Sequence, residues 1–115
     1  MRYTSKEFAK EILNVIDNKR IVISNKEKNI RFLKEYSIRA GEREDIIKSL
    51  TSRNFVEKRK NGDSRIKSDW LYIFDPICFL TSSSGIEEYV KLYIKICIVD
   101  DVIYAESFHE DSDYW

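Results

Sequence analysis

In the stretch Tyr89-Val90-Lys91-Leu92-Tyr93-Ile94-Lys95-Ile96-Cys97-Ile98 every even position is aliphatic, while odd positions 89 to 95 alternate Tyr and Lys. Strand side chains point to opposite faces with period two, so this pattern predicts a long strand over residues 89–99. One face is wholly aliphatic and must be covered; the other presents tyrosine hydroxyls and ammonium groups. The rest of the chain is constrained accordingly, with helices covering the aliphatic face and leaving the Tyr/Lys face to solvent or a partner. Asp100-Asp101 is a tight turn into a return strand over residues 102–108. A two-residue turn sets Lys95 opposite Glu106 and Cys97 opposite Tyr104, and a bulge would shift that register by one.

Upstream, the periodicity is helical. Thr4 and Glu7 have the spacing of a capping box, and Phe8, Ile12, Leu13 and Ile16 recur at helical intervals, which predicts a helix over residues 5–18. Arg20-Ile21-Val22-Ile23-Ser24 reads as a short edge strand or an extended connection. Asn25 is placed to cap a second helix running to Tyr36, with Ile30, Leu33 and Tyr36 inward and Lys26, Lys28, Arg31 and Lys34 on the outer side. Gly41 separates this helix from a third, from Glu42 to Leu50 or Ser52, with Ile46, Ile47 and Leu50 inward. Strands are predicted over residues 55–59 and 70–74, with a turn or mobile loop at residues 60–64 between them. Pro76 and the run Thr81-Ser82-Ser83-Ser84-Gly85 mark a further loop. The fold class is thus α+β: N-terminal helices on one face of a mostly antiparallel sheet, with residues 1–115 as one domain.

The formal net charge is zero, but it is unevenly distributed. Residues 1–67 hold 18 Lys/Arg against 10 Asp/Glu, and residues 68–115 hold 2 against 10, so the two parts carry +8 and −8. Either the halves neutralise each other across the fold, or the basic part is a surface for a polyanion. The two cysteines, Cys78 and Cys97, are not in a Cys-x-x-Cys pair, and His109 is the only histidine. A metal site would have to be built mainly of carboxylates, so neither metal nor cofactor is expected. No run approaches the roughly 18 apolar residues of a membrane span, and reduced thiols imply a cytoplasmic setting.

The order of a Trp strand (Trp70-Leu71-Tyr72-Ile73-Phe74), a Tyr-x-Lys strand, a short turn and then Ser107-Phe108-His109-Glu110 resembles the MqsR-type toxins of bacterial toxin–antitoxin pairs. So does the stretch Ser49-Leu50-Thr51-Ser52-Arg53-Asn54-Phe55 after the helices. Those toxins belong to the RelE-like group of small ribonucleases. The resemblance spans roughly residues 5–114, and its specific part is residues 89–110. It implies a metal-independent endoribonuclease, an mRNA interferase, acting on single-stranded or messenger RNA and neutralised by a cognate antitoxin. The family's Tyr-x-Lys matches Tyr93/Lys95 or Tyr89/Lys91, and both pairs lie on one face. The chain departs from the family at Val56-Glu57, where relatives carry Tyr-Lys, and at Leu71, where they carry Gln. Lys58 would stand in for the missing lysine. Those departures keep open a second reading, a catalytically inactive binding or regulatory module of the same fold.

The residue types suit RNA cleavage, which needs a base for the 2′-hydroxyl, cations for the charged phosphorane and an acid for the leaving 5′-oxygen. His109 fits either proton-transfer role, Tyr93 or Tyr89 is a donor, and Lys91 or Lys95 neutralises phosphate. Lys58, Arg59 and Arg65 are candidate phosphate contacts, and Trp70 or Tyr72 a stacking platform for an unpaired base. The plainer alternatives are a surface histidine, a solvated Tyr/Lys face, a Lys95–Glu106 cross-strand ion pair and a core tryptophan.

Overall fold

The alternating segment forms the longest element of the fold, a strand of 13 residues, and the other elements are arranged around it. The structure is a computed structural model describing residues 2–111. In chain order it contains β1 (Arg2–Tyr3), α1 (Lys10–Leu13), β2 (Arg20–Ile23), α2 (Glu27–Glu35), α3 (Ala40–Lys48), β3 (Phe55–Lys60), β4 (Trp70–Phe74), β5 (Ile77–Thr81), β6 (Glu87–Val99) and β7 (Val102–Glu110). The architecture is α+β, with the helices in the N-terminal half and a seven-stranded, mostly antiparallel sheet of order β1-β3-β4-β6-β7-β2. β5 also pairs with β6, and β2 runs parallel to β7. On the helix side Val90, Leu92, Ile94 and Ile96 are buried together with Phe74, Ile103 and Phe108. No helix among the described residues is long and apolar enough to cross a membrane.

Several elements differ from expectation for identifiable reasons. Residues 5–18 do not form one helix: 310 turns at Lys6–Ala9 and Ile16–Asn18 flank the four-residue α1. Ser5, not Thr4, caps the first turn. Ala9 and Ile12 are the fully buried pair, while Phe8 and Leu13 are only partly covered. Gly41 lies inside the first turn of α3 rather than before it. The segment after Pro76, expected as loop, is the strand β5. Phe74 lies opposite Ile94 and Ile77 opposite Lys91, a single register in which β4 and β5 are two parts of one strand broken at Asp75-Pro76. Proline has no N–H, but the Pro76 carbonyl still accepts from the Leu92 N–H at 2.9 Å. The turn back into β6 closes at Gly85, whose φ of 84° is left-handed.

The hairpin of β6 and β7 turns through Asp100, also left-handed at φ 54°. Cys97 lies opposite Tyr104, as a two-residue turn requires, but a bulge between Lys95 and Ile96 then puts Lys95 opposite Ser107. The apolar pattern of β7 carries the same offset. Ile103 and Ala105 face Ile98 and Ile96, and the next residue facing the core, Phe108 opposite Ile94, comes three positions on instead of two.

α2 locks onto this irregularity. Its inward residues are Asn29 and Phe32, with Tyr36 just beyond, while Ile30, expected inside, is 41% exposed. The Asn29 amide nitrogen donates to the Glu106 and Ser24 carbonyls at 3.2 and 3.0 Å, and its oxygen accepts from the Phe108 N–H at 2.8 Å. β2 stops pairing with β7 at Ala105, so this side chain supplies the hydrogen bonds that a neighbouring strand would have made. Asn29 is fully buried. Asn29→Ala, which orphans these backbone groups, is expected to cost about 3 kcal/mol in urea unfolding, whereas Ile30→Ala on the outer side of the same helix should cost less than about 1 kcal/mol.

Candidate functional site

The face of the sheet opposite the helices collects the odd-numbered side chains of β6 and their neighbours. Tyr93 lies at its centre. Across β7 it meets His109, with ring centroids 5.6 Å apart and planes inclined by 28°. From the side of β3, Arg59 donates from Nη2 to the Tyr93 hydroxyl at 3.2 Å. The hydroxyl accepts that bond, which leaves its own proton to be donated elsewhere. Burial raises the Tyr93 pKa above that of a free phenol, against the pull of Arg59, so it is a proton donor at neutral pH.

His109 Nδ1 lies 2.9 Å from the Glu110 carbonyl. A carbonyl only accepts, so Nδ1 carries the proton and Nε2 keeps its lone pair. Burial lowers the imidazole pKa below its ordinary value. The Glu110 carbonyl contact opposes this, and the ammonium groups of Lys28 and Lys26 add to the lowering. The ring is therefore neutral at pH 7, the state required of a general base. On its other side it borders a cavity of about 340 Å³ between α2 and the end of β7, lined by Lys28, Arg31, Phe32, Glu35, Tyr36 and Glu110.

Two lysines flank Tyr93 along the strand, each facing a carboxylate. Lys95 Nζ is 2.9 Å from Glu106, and Lys91 Nζ is 3.5 Å from Asp75. Glu106 is also bound by Lys26 Nζ at 2.8 Å and by the Ser107 hydroxyl at 2.8 Å. Burial alone would raise the Glu106 pKa, but these hydrogen bonds win and hold it at about 2. The bulge lets both Glu106 and Ser107 face this cluster: the register is Lys95 opposite Ser107, yet the ion pair expected with Glu106 forms.

Among the residues singled out from the sequence, the structure brings together Tyr93, Lys95, Lys91, His109 and Arg59. Tyr89 shares their face but lies about 13 Å along the strand from Tyr93, its ring 4.9 Å from that of Phe79. Lys58 and Trp70 fall on the opposite, helix-covered face. Lys58 Nζ is 2.6 Å from Glu11 and 4.4 Å from the Trp70 ring centroid, within a cluster that includes Tyr3, Phe8 and Tyr72. Strand parity decides this: Lys58 pairs with Tyr72, whose hydroxyl donates to Glu11, so neither lysine nor ring can reach the Tyr93 side. Lys58 therefore does not stand in for the lysine absent at Glu57. Glu57 itself is buried on the Tyr93 face and paired with Arg2 at 2.9 Å. Arg65 belongs to the connection 61–69, where it is held to Asp63 at 2.9 Å beside a cavity shared with Lys26, Tyr104 and Glu106.

The sequence reading missed Glu106 as a shared anchor, Lys26 as its second partner, and the pair Arg2–Glu57. A carboxylate at Glu106 beside Ser107 was visible, but its contact with Lys26 depends on where α2 docks. Among the described residues no group of three or more His, Cys, Asp or Glu side chains is placed to hold a metal ion. Cys78 and Cys97 are free thiols; burial raises both, Cys97 to about 11. No family model matches the chain, and no curated protein or solved structure matches it.

Because the folded-state pKa of Glu106 is depressed from 4.5 to about 2, its pairing contributes stability above about pH 4.5 that is lost as pH falls through 2. Glu106→Gln should lower stability at pH 7 by about 2–3 kcal/mol and flatten the profile over that acid window in denaturation measured across pH. In an NMR titration His109 should lose its proton below the ordinary histidine value of about 6.5.

Proposed function

We propose that the chain is a metal-independent endoribonuclease acting on single-stranded RNA, and that in the cell it is a toxin held in check by a protein antitoxin. The observation that carries this reading is the neutral His109 imidazole lying ring to ring with Tyr93, whose hydroxyl is held by Arg59. A base, an acid and a cation thus share one open face.

In the proposed reaction His109 Nε2 takes the proton of the 2′-hydroxyl. The 2′-oxygen attacks phosphorus, the bond from phosphorus to the 5′-oxygen breaks, and the products are a 2′,3′-cyclic phosphate and a free 5′-hydroxyl. Tyr93 gives its proton to the departing 5′-oxygen, and the Arg59 guanidinium beside it stabilises the transient phenolate. Lys91 and Lys95 exchange their carboxylate partners for the phosphate oxygens in the transition state. The cavity beside His109 takes an unpaired base, with the Phe32 and Tyr36 rings as its apolar wall.

A second reading, a binding module without catalysis, is supported by the pairing of both lysines with Asp75 and Glu106 and by Glu57 and Leu71 standing where the toxins carry Lys and Gln. The test uses purified chain, an unstructured RNA and EDTA, alongside induction in growing cells. Cleavage leaving cyclic phosphate ends is expected, with the rate falling about 100-fold or more in His109→Ala and about 10-fold or more in Tyr93→Phe. Its acid limb should bend below about pH 6.5, where His109 gains its proton. A wild-type chain that neither cuts RNA nor slows growth sinks the nuclease and leaves the binding module. Full activity in both variants keeps the nuclease and removes this site.

A further inference from the structure

Four of the large apolar side chains most exposed to solvent lie at one end of the sheet: Ile77 (60%), Phe79 (54%), Ile86 (58%) and Tyr89 (72%). Ile77, Phe79 and Tyr89 lie on the Tyr93 side of the β5–β6 hairpin, and Ile86 sits at its turn. A patch of this kind on a small domain marks a surface that something covers.

Among the described residues the backbone beneath it is also incomplete in its strand pairing. The Pro76 carbonyl bonds toward β6, and so does the Ser82 N–H, which reaches the Ile86 carbonyl. Even-numbered residues of β5 therefore bond to β6, and Ile77, Phe79 and Thr81 aim their N–H and C=O groups away from it. Among the described residues β5 pairs with no strand but β6. The other two margins of the sheet, β1 and β2, each begin with an arginine, whereas Ile77-Cys78-Phe79-Leu80-Thr81 contains neither charge nor proline. Exposed edges usually carry such residues because they prevent strand addition.

We infer that β5 is the contact of a symmetric dimer, in which the β5 strands of two copies pair antiparallel about a two-fold axis at Phe79. Self-pairing fits because the residues with outward backbone groups are the first, middle and last of the five. With Phe79 on the axis, Ile77 of each copy meets Thr81 of the other, and about six main-chain hydrogen bonds form without a shift of register. The side chains agree. Tyr89 and Phe79 of one copy continue into Phe79 and Tyr89 of the other as one aromatic row. Glu87 lies opposite Thr81, and Ile77 opposite Lys91. Each copy's Glu87 is thus level with the other's Lys91, so opposite charges share a row and the two Glu87 side chains stay far apart. An axis normal to the sheet turns both Tyr93 faces the same way. This inference goes beyond the proposed nuclease and does not depend on it.

Sedimentation velocity of the wild-type chain, from low micromolar upward, should show a monomer–dimer equilibrium. Phe79→Lys and Phe79→Glu each place like charges on the axis and should each sediment as a monomer. Mixed in equal amounts, the two variants should dimerise again, since opposite charges then meet. Hydrogen exchange on the wild-type chain gives a reading without substitution: the amides of Ile77, Phe79 and Thr81 should gain protection as concentration rises. A wild-type chain that stays monomeric overturns the inference and leaves an extended segment of another protein as the occupant. A dimer that ignores Phe79→Lys, a mixture that does not reassociate, or protection that does not change with concentration overturns the pairing.

Discussion

The one-residue bulge opposite Lys95 and Ile96 sets the geometry on both sides of the sheet. Continued without it, the two-residue turn would place Phe108 opposite Tyr93 and His109 opposite Leu92, turning a phenyl ring to solvent and an imidazole into the core. With it, Phe108 joins the core and His109 joins Tyr93. On the side away from β6, β2 ends its pairing with β7 at Ala105, and the Asn29 carboxamide takes up the Glu106 carbonyl and the Phe108 N–H beyond it. One buried side chain thus ties α2 to the bulge and secures the register that assembles the candidate site.

The electrostatics follow from that arrangement. The excess of positive charge in residues 1–67 is not all free to meet a partner. Part of it is engaged with acids of the C-terminal part: Lys19 pairs with Asp101, and Lys26 with Glu106. Lys58 is drawn into an aromatic cluster against Glu11, where ring faces and a carboxylate replace the water that a buried ammonium loses. What remains around Tyr93 is a mosaic of lysine–carboxylate pairs with Arg59 bonded to a phenol oxygen. Such a surface binds a polyanion only if phosphate outcompetes Asp75 and Glu106, which favours a ligand positioned by its chemistry over one held by net charge.

Much of the fold was legible from periodicity. The long strand, the Trp70 strand, the return strand and the tight turn at Asp100 all lie where alternation and turn chemistry put them. The failures have physical causes. Ile30 matches a helical stripe, yet the stripe facing inward is set by the polar Asn29, which no hydrophobic pattern reveals. β5 escaped notice because Pro76 and the serine run on either side signal loop, while the strand between them is only five residues long. Residues 5–18 carry an α-helical period but are wound partly as 310, because contact with the sheet decides which of Phe8, Ala9 and Ile12 goes inside.

For the candidate site, the sequence by itself determined which side of β6 is chemical: its period-two pattern puts Tyr89, Lys91, Tyr93 and Lys95 on one face whatever the partners of the strand. It also supplied the residue types, including a lone histidine near the end of the neighbouring strand. Only the tertiary structure decided which of them meet. Strand parity sent Lys58 and Trp70 to the far face, and the bulge brought His109 to Tyr93. The docking of α2 brought Lys26 to Glu106. Each of these depends on register between segments distant in the chain, a property that local periodicity does not encode.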